Sequence, residues 1–274
     1  MERKNSPFSI PLFIPLAVVT VITVILGVLL LLPYGSSDIP SETNIPETLS
    51  PEVNDTPQKE EMPELRFKSD LAEYEKYMTE NGERYLILIN KSNAIDGSYE
   101  PETLVKVKDA QKNIELSKTA EMALEAMFKE MRAQGFKNVF VTSAYRSYSY
   151  QNSLFNNYIN EEMARGLSYE KAKEKVLTYS AYPGTSEHHT GLCVDLMTDS
   201  MTELDESFAD DPVYGWLLEN AWKFGFILRF PEDKTDITGY SFEPWHYRFV
   251  GREHAYKIYS QGLCLEEYVG KSDR

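Results

Sequence analysis

The strongest constraint on this chain is an uncharged apolar run, which extends from Ile10 to Leu32. It is long enough to cross a bilayer as a helix, since that requires about 20 apolar residues. Arg3 and Lys4 precede the run, whereas the next basic residue after it is Lys59. Because basic flanking residues stay on the cytoplasmic side, the pattern predicts a transmembrane anchor over residues 10–33 and an extracytoplasmic location for everything that follows.

A cleaved secretory signal is the alternative interpretation of this run, and it would export the same residues. The run is longer than the apolar core of about 7–15 residues that signals carry, and no A-x-A site follows it. We therefore predict an uncleaved anchor with a short cytoplasmic tail over residues 1–9. No cysteine lies near the end of the run, so a lipid-modified lipoprotein is not predicted.

Residues 34–65 have the composition of a spacer. They are rich in Pro, Ser, Thr, Asn and Glu, and their acidic residues are opposed only by Lys59. Such a segment buries too little apolar surface to fold, so it predicts a disordered acidic linker. The whole chain has a formal net charge of −15, which argues against nucleic acid as a partner because binding it requires a basic surface.

The sequence patterns of residues 66–274 predict one folded domain. They mix strand and helix patterns without the regular alternation of a doubly wound sheet, and they lack G-x-G-x-x-G. The prediction is an α+β domain with a small antiparallel sheet flanked by helices. Strands are expected in "RYLILIN" (Arg84 to Asn90), "NVFVTSAYR", "ILRF" and "WHYRFV", and helices in "LSKTAEMALEAMFKEMRAQGF", "SYSYQNSLFNNYINEEMARG", "LSYEKAKEKVLTYS", "DPVYGWLLENAWKFGF" and the closing "REHAYKIYSQG".

The segment "SEHHTGLCVDL" concentrates polar chemistry in apolar surroundings. His188 and Asp195 lie on either side of Gly191, so a turn there folds the imidazole back toward the strand that carries the carboxylate. An Asp within an apolar strand must find a cation or several donors to offset its desolvation. A metal ion is the simplest such partner.

A second segment, "FEPWHYRFVG", adds Glu243 and His246. A catalytic zinc commonly keeps three protein ligands and leaves its fourth position to water. His188, Asp195 and His246 satisfy that description. Glu243 is then left over as an unligated carboxylate that accepts a proton from the attacking water.

Two other histidines and one cysteine are predicted to lie outside the ligand set. His189 follows His188 directly and points to the other face in extended backbone, and His254 lies in a helical pattern. Cys193 shares the face of Asp195 if the strand is regular, but between Leu192 and Val194 it is expected to pack as a small hydrophobic residue. Its spacing from Cys264 does not reveal whether the two form a disulfide.

These motifs resemble those of the VanY-type D-alanyl-D-alanine carboxypeptidases, zinc enzymes that trim the stem peptides of bacterial peptidoglycan. The pattern S-x-H-x-x-G-x-x-x-D in "SEHHTGLCVD" and E-x-W-H in "EPWH" carry the resemblance, and "TSAYRSYSYQNSLF", "NAWKFGFILRF" and "DITGYSFEPWHYRFVG" extend it over about Arg84 to Gly270. Cys193 departs from the pattern, since the family usually has a small residue such as Ala there. The resemblance implies the hedgehog/DD-peptidase fold.

The resemblance also implies roles for individual residues. His188, Asp195 and His246 would bind one Zn²⁺, and Glu243 would be the general base and later the acid to the leaving amine. Arg146 would polarise the scissile carbonyl or hold the substrate carboxylate, a task suited to a planar, permanently charged group. Gln151 and Ser186 match positions that line the substrate cleft, and Tyr240 lies close to Glu243 in sequence.

The sequence therefore predicts a membrane-anchored extracytoplasmic zinc carboxypeptidase that removes terminal D-alanine from peptidoglycan stem peptides. Two alternatives stay open. One is an L,D-carboxypeptidase that acts on tetrapeptide stems with the same metal chemistry, and the other is a non-catalytic cell-wall-binding module. The presence of a spare carboxylate, Glu243, favours an enzyme over a purely structural metal site.

Overall fold

The computed structural model of this protein describes residues 61–272. The predicted tail over 1–9, the predicted anchor over 10–33 and the predicted linker up to residue 60 lie outside these residues. Within the described range, no helix is long and apolar enough to cross a membrane.

The centre of the described structure is an antiparallel sheet with the strand order β3-β4-β6-β5. Asp195 of β4 pairs with His246 of β6 on one side and with Ser143 of β3 on the other. The sheet thus delivers a predicted ligand from each of two adjacent strands at the same level. Its strands are β3 (Val139–Ser143), β4 (Cys193–Thr198), β5 (Phe226–Leu228) and β6 (His246–Phe249), and a separate hairpin pairs β1 (Leu104–Lys106) with β2 (Glu115–Ser117).

Helices surround the sheet, as the sequence predicts for an α+β domain. In the described range they are α1 (Glu75–Met78), α2 (Lys118–Ala133), α3 (Tyr148–Ala164), α4 (Tyr169–Val176), α5 (Pro212–Asn220), α6 (Thr235–Thr238), α7 (Arg252–Ser260) and α8 (Leu265–Ser272). The mixture of helices with a small antiparallel sheet is confirmed. Helix α8 is an addition to the predicted elements, because the last helix that the sequence predicts is α7.

Helix α2 begins and packs as its sequence dictates. The Ser117 side chain caps it by accepting a hydrogen bond from the Ala120 amide, which satisfies one of the unpaired donors of the first turn. Leu124 and Met127 on its apolar face belong to the same buried cluster as Val194 of β4. The main hydrophobic core therefore lies between α2 and the sheet, and the opposite face of β4 is left for the site.

Helix α5 also begins at a side-chain cap, within a segment that the sequence predicts to be helical. Asp211 accepts a hydrogen bond from the Val213 amide at 2.9 Å, and Pro212 occupies the first turn. Proline suits that position because its missing N–H would have no intrahelical partner there. Beyond α5, a 3₁₀ turn over Ala221–Phe224 leads into β5.

The predicted strand over Arg84–Asn90 is wrong. Glu83–Leu86 form a 3₁₀ turn, and the residues after it up to Asn90 belong to no strand. The reason lies in a distant side chain, because Nη2 of Arg248 donates to the carbonyls of Tyr85 at 2.9 Å and Ile87 at 2.8 Å. These carbonyls are bound to a buried guanidinium, not to a neighbouring strand.

Candidate metal centre and active site

A short turn folds the first predicted ligand over the sheet. Glu187–Thr190 form a 3₁₀ turn that ends at Gly191, whose φ of 66° is left-handed. A Cβ at Gly191 would approach Cδ2 of Leu104 to 3.0 Å, so the site favours glycine for both conformation and space. The chain then enters β4, and His188 Nε2 comes to lie 3.2 Å from Asp195 Oδ2.

The tautomer of His188 is fixed by its other nitrogen. Nδ1 lies 2.5 Å from the carbonyl oxygen of Ala144, which can only accept, so Nδ1 carries the hydrogen and donates it. In the neutral ring, the lone pair of Nε2 then faces the Asp195 carboxylate. Two electron-rich atoms at this separation require a positive charge between or beside them.

The second histidine completes the group from β6. His246 Nδ1 lies 3.1 Å from Asp195 Oδ1 and 3.4 Å from Glu243 Oε2. The rings of His188 and His246 meet edge to face, with centroids 5.1 Å apart. Both imidazoles and the Asp195 carboxylate are almost completely buried.

Electrostatics of the group favour a bound positive charge. Burial raises the pKa of Asp195, but the two imidazoles outweigh it and hold that pKa well below its usual value. Burial and Arg146 oppose protonation of His188, yet Cys193 and Asp195 raise its pKa to about 9. Oδ1 of Asp195 and Nε2 of His246 are buried without a hydrogen-bond partner. A carboxylate with an unsatisfied oxygen and two imidazoles form a donor set that suits a divalent cation such as zinc.

The Cys193 thiol lies closer to the two histidines than the sequence suggests. Its thiol is fully buried, and its donor atom and those of His188 and His246 all lie within 4.8 Å of one another. Burial raises the pKa of the thiol, but the two imidazoles lower it to about 7. The histidines therefore have two rival third donors, Cys193 and Asp195. The carboxylate is the stronger candidate, because it is charged throughout the neutral pH range and always needs compensation, whereas the thiol can avoid a buried charge by keeping its proton.

Glu243 is placed differently from the buried donors. Its amide donates to the Phe230 carbonyl at 3.1 Å, and its own carbonyl accepts from the His246 amide at 3.1 Å, which fixes the turn before β6. Its side chain is 26% exposed, against 5% for His246. Glu243 is thus the carboxylate at the open side of the group, where water and substrate can reach it.

Arg146 follows β3 and is held beside the group from several sides. Its amide donates to the His188 carbonyl at 3.0 Å, and its Nη1 donates to Gln151 at 2.9 Å. Gln151 is fully buried and donates in turn to the Ala181 carbonyl at 2.8 Å. The predicted cleft residue Gln151 therefore lies behind Arg146 and orients it, while Nε of Arg146 is buried without a partner.

His189 has a supporting position outside the donor group. Its Nε2 accepts from the Gly184 amide at 3.1 Å, so its Nδ1 carries the hydrogen and donates to the Arg146 carbonyl at 2.7 Å. The ring stacks on Tyr148 with centroids 5.8 Å apart. His254 is further away on α7, between Tyr268 and the Asn81 carbonyl.

The remaining predicted residues flank the turn that carries His188. Ser186 immediately precedes the turn and is buried. The Tyr240 hydroxyl donates to the Thr185 carbonyl at 3.1 Å, and its ring stacks on Phe230 at 4.5 Å. Burial, reinforced by the charge of Glu187, raises the pKa of Tyr240 to about 12, so its hydroxyl stays protonated.

Sequence reasoning missed a buried ionic cluster behind the metal centre. Glu187 accepts at Oε1 from Arg229 Nε and from Arg248 Nη1, both at 2.7 Å. Arg229 also makes a bidentate pair with Glu266 of α8, at 2.8 and 2.7 Å. Burial raises the pKa of Glu187, but the two guanidinium groups hold it well below its usual range. The available signal was an arginine in each of the apolar strand segments "ILRF" and "HYRF".

The two cysteines do not bond to each other. Cys193 and Cys264 are both buried and both free. The question that spacing left open is therefore answered by the fold: Cys193 lies in β4 at the metal centre, and Cys264 lies just before α8.

The chain is similar to known carboxypeptidases. Residues 113–252 match the family model described as VanY, D-alanyl-D-alanine carboxypeptidase. A D-alanyl-D-alanine carboxypeptidase of Enterococcus faecalis is 42% identical over 184 residues, which cover 67% of this chain and 65% of that protein. The alignment thus spans slightly less than two thirds of that relative's length.

Solved structures show the same similarity. One is the vancomycin-resistance D,D-pentapeptidase VanY from a VanB-type cassette, whose structure was determined in complex with Zn(II). It is 41% identical to this chain with a TM-score of 0.57, and the alignment covers 68% of this chain and 99% of the VanY chain. The L,D-carboxypeptidase LdcB is 36% identical with a TM-score of 0.62, covering 72% and 95%. The range that matches the family model, residues 113–252, contains β3, β4, β6 and every residue of the candidate metal centre. The chain therefore belongs to the VanY family of D-alanyl-D-alanine carboxypeptidases.

Proposed function

We propose that the chain is a membrane-anchored, extracytoplasmic zinc carboxypeptidase that removes the terminal D-alanine from peptidoglycan stem peptides. The observation that carries the proposal is the arrangement around Asp195. Imidazoles from His188 and His246 approach its two oxygens at 3.2 and 3.1 Å, and a partly exposed carboxylate, Glu243, lies 3.4 Å from His246. A hydrolytic zinc site needs three protein ligands and one unligated carboxylate that accepts a proton, and these three buried donors with the more exposed Glu243 match that requirement.

The proposed ligands of one Zn²⁺ per chain are His188, Asp195 and His246. Their donor chemistry fits zinc, and the similar VanY structure was determined in complex with Zn(II). When bound, zinc lowers the pKa of a coordinated water toward about 7 and polarises the substrate carbonyl.

Glu243 is the proposed general base. Its partly exposed carboxylate takes the proton of the attacking water. It then returns that proton to the amine of the departing D-alanine. A positioned acid-base group of this kind contributes about 10²- to 10⁴-fold to rate. The more buried carboxylate, Asp195, is already engaged by two imidazoles and is unsuited to this task.

Arg146 is the proposed anion-binding residue. Gln151 holds its Nη1 at 2.9 Å, and its backbone carbonyl accepts from His189, so the guanidinium is pre-oriented. A carboxypeptidase must recognise a free terminal carboxylate, and a planar guanidinium can bind one through two parallel hydrogen bonds. Tyr240 and Ser186 are proposed to line the same cleft.

The anchor and linker are proposed to keep the domain near its substrate. The apolar run Ile10–Leu32 follows basic residues and precedes an acidic segment, which supports an N-terminus in the cytoplasm. A flexible linker of about 30 residues has a reach on the order of 30 Å, so the domain would sample the wall just outside the membrane. Protease added to intact spheroplasts should digest the domain, and a protease-resistant domain would contradict this topology.

The experiment that tests the activity is release of D-alanine by the full-length chain from two matched substrates, a pentapeptide stem ending in D-Ala-D-Ala and the corresponding tetrapeptide stem. We expect faster release from the pentapeptide, loss of release with a chelator, and recovery after addition of zinc. Release from both stems that is insensitive to chelator would contradict a metallopeptidase.

The L,D-carboxypeptidase is the second candidate, and the similarity to LdcB, with 36% identity and a TM-score of 0.62, is the observation that motivates it. The same pair of substrates separates the two candidates, because an L,D-enzyme would prefer the tetrapeptide. A zinc-loaded chain that binds either stem without releasing D-alanine would instead be a wall-binding module.

A further inference from the structure

We propose that Glu187 is a positioning residue that holds His246 by its Nε2–H, so that Nδ1 is the nitrogen presented to the metal. The inference rests on the proposed zinc site. Oε2 of Glu187 lies 3.6 Å from Nε2 of His246. Both atoms are buried and neither has a hydrogen-bond partner elsewhere. Each is therefore the natural partner of the other.

The orientation of His246 selects which nitrogen binds. Nδ1 faces Asp195 Oδ1 at 3.1 Å and Glu243 Oε2 at 3.4 Å, which places it on the side of the donor group. A neutral imidazole that binds a metal through Nδ1 must carry its hydrogen on Nε2. That hydrogen needs an acceptor, because an unsatisfied buried donor is costly. Glu187 Oε2 is the acceptor in line to receive it.

The separation of Nε2 and Oε2 is slightly longer than a direct hydrogen bond. N–H···O bonds extend to about 3.2 Å, so a shift of about 0.4 Å in either side chain closes the contact. Phe230 confines the ring from another side, with centroids 5.0 Å apart. Only a small adjustment along the line between the two atoms is thus required.

Glu187 is held rigidly in the position that this role requires. Its other oxygen, Oε1, receives Arg229 Nε and Arg248 Nη1, both at 2.7 Å. Both arginines are fully buried. Arg248 is fixed in turn by the Tyr85 and Ile87 carbonyls. The two guanidinium groups occupy Oε1 and leave Oε2 directed toward the imidazole.

The buried ion pairs of Glu187 explain how its carboxylate can stay charged in the protein interior. Glu187 and Glu266 balance the charges of Arg229 and Arg248, so the buried group is neutral as a whole. A carboxylate behind a metal-binding imidazole fixes its tautomer and increases its basicity. A merely structural ion pair would need only Oε1, because Oε2 makes no hydrogen bond to either arginine.

The test compares Glu187→Gln with Glu266→Gln in the full-length chain. Both variants remove a carboxylate partner of Arg229, but only the first alters the group that faces His246. Zinc affinity is measured by competition with a chromophoric chelator, after circular dichroism has verified folding. We expect Glu187→Gln to lose about 10- to 100-fold in zinc affinity, while Glu266→Gln stays close to the unsubstituted chain. Equal affinities for the two folded variants would overturn the proposal.

A second measurement covers the case in which Glu187→Gln does not fold. In the ¹⁵N-labelled, zinc-loaded full chain, long-range ¹H–¹⁵N spectra report the tautomer of each zinc-bound histidine. We expect one ring with its hydrogen on Nδ1, as His188 requires, and one with its hydrogen on Nε2. Two zinc-bound rings that both carry the hydrogen on Nδ1 would overturn the proposal.

These readouts do not depend on hydrolysis, so the inference and the proposed function can fail separately. If the unsubstituted chain releases D-alanine and Glu187→Gln binds zinc equally well, only the role of Glu187 is wrong. If Glu187→Gln loses zinc affinity but the unsubstituted, zinc-loaded chain releases no D-alanine, the role of Glu187 stands and the peptidase activity is wrong.

Discussion

Nε2 of His188 lies 3.2 Å from Oδ2 of Asp195, although Nδ1 of the same ring already donates to the Ala144 carbonyl. The neutral ring therefore presents a lone pair to a buried carboxylate. This geometry is unfavourable unless a proton or a metal ion compensates both groups. The charge of Asp195 is therefore essential to cation binding at this site.

Asp195→Asn should abolish stable zinc binding. The substitution preserves size but removes the charge that offsets the cation, so the loss should exceed the roughly 10- to 100-fold that removal of an indirect partner causes. Metal analysis after dialysis measures the effect. Asp199→Asn, at an exposed residue just beyond β4, is the matched control and should keep its zinc. An Asp195→Asn protein with full zinc content would remove Asp195 from the ligand set.

Cys193→Ala should retain zinc and hydrolysis. The thiol lies within 4.8 Å of both imidazoles, but a carboxylate ligand leaves it free to pack as an apolar group. Truncation of this fully buried side chain should cost about 1 kcal/mol of stability. Cobalt-substituted protein provides a direct check, because thiolate ligation gives a charge-transfer band. The absence of that band is expected, whereas a band that disappears in Cys193→Ala would make the thiol a ligand.

Arg146→Lys should impair catalysis although it preserves the charge. Lysine cannot reproduce the planar guanidinium that Gln151 orients at 2.9 Å, because its ammonium is a compact point charge. If Arg146 binds the substrate carboxylate or carbonyl, kcat/KM should fall by about 10²- to 10³-fold with zinc content unchanged. Arg165→Lys, at the exposed end of α3, is the control. Equal kinetic constants for the two variants would exclude Arg146 from substrate binding.

Glu121→Gln should change how stability depends on pH. Glu121 lies in α2, and its Oε2 is buried without a partner. Burial raises its pKa from 4.5 to about 8. Below about pH 4.5 both the folded and unfolded states hold the proton, but between about pH 4.5 and 8 only the folded state retains it. The folded chain should therefore lose up to about 1.4 kcal/mol per pH unit across this window.

The glutamine variant should lack this pH-dependent loss and gain stability over the unsubstituted chain as pH rises from about 5 to 8. Denaturant unfolding at several pH values measures it. Glu170→Gln, at an exposed residue of α4, should leave the slope unchanged. Parallel pH profiles for Glu121→Gln and the unsubstituted chain would show that Glu121 is not protonated at neutral pH.

The sequence predicted those parts of the fold and site that depend on local patterns. Helices α2 and α5 follow from apolar spacing and flanking residues that lie within a few positions of one another. The unusual position of Asp195 in an apolar strand is likewise visible in sequence. It predicts a cation, for which His188 and His246 are the additional ligands. The turn at Gly191 was predictable because this glycine lies only three positions after His188.

The parts that sequence analysis missed depend on distant residues. Arg248 binds the Tyr85 and Ile87 carbonyls across more than 160 positions, and no local pattern reveals that these residues fail to form a strand. Glu266 meets Arg229 only because α8 returns to the sheet. The role of Glu187 depends on the same cluster, so it emerged only from the three-dimensional arrangement.

Glu243 is proposed to activate water beside zinc held by three other residues. The most direct test measures D-alanine release and zinc content in Glu243→Gln, which keeps the size of the side chain but cannot accept the proton. We predict zinc content equal to that of the unsubstituted chain and a rate of D-alanine release lower by about 10²- to 10⁴-fold. Undiminished release by the zinc-loaded variant would contradict the mechanism.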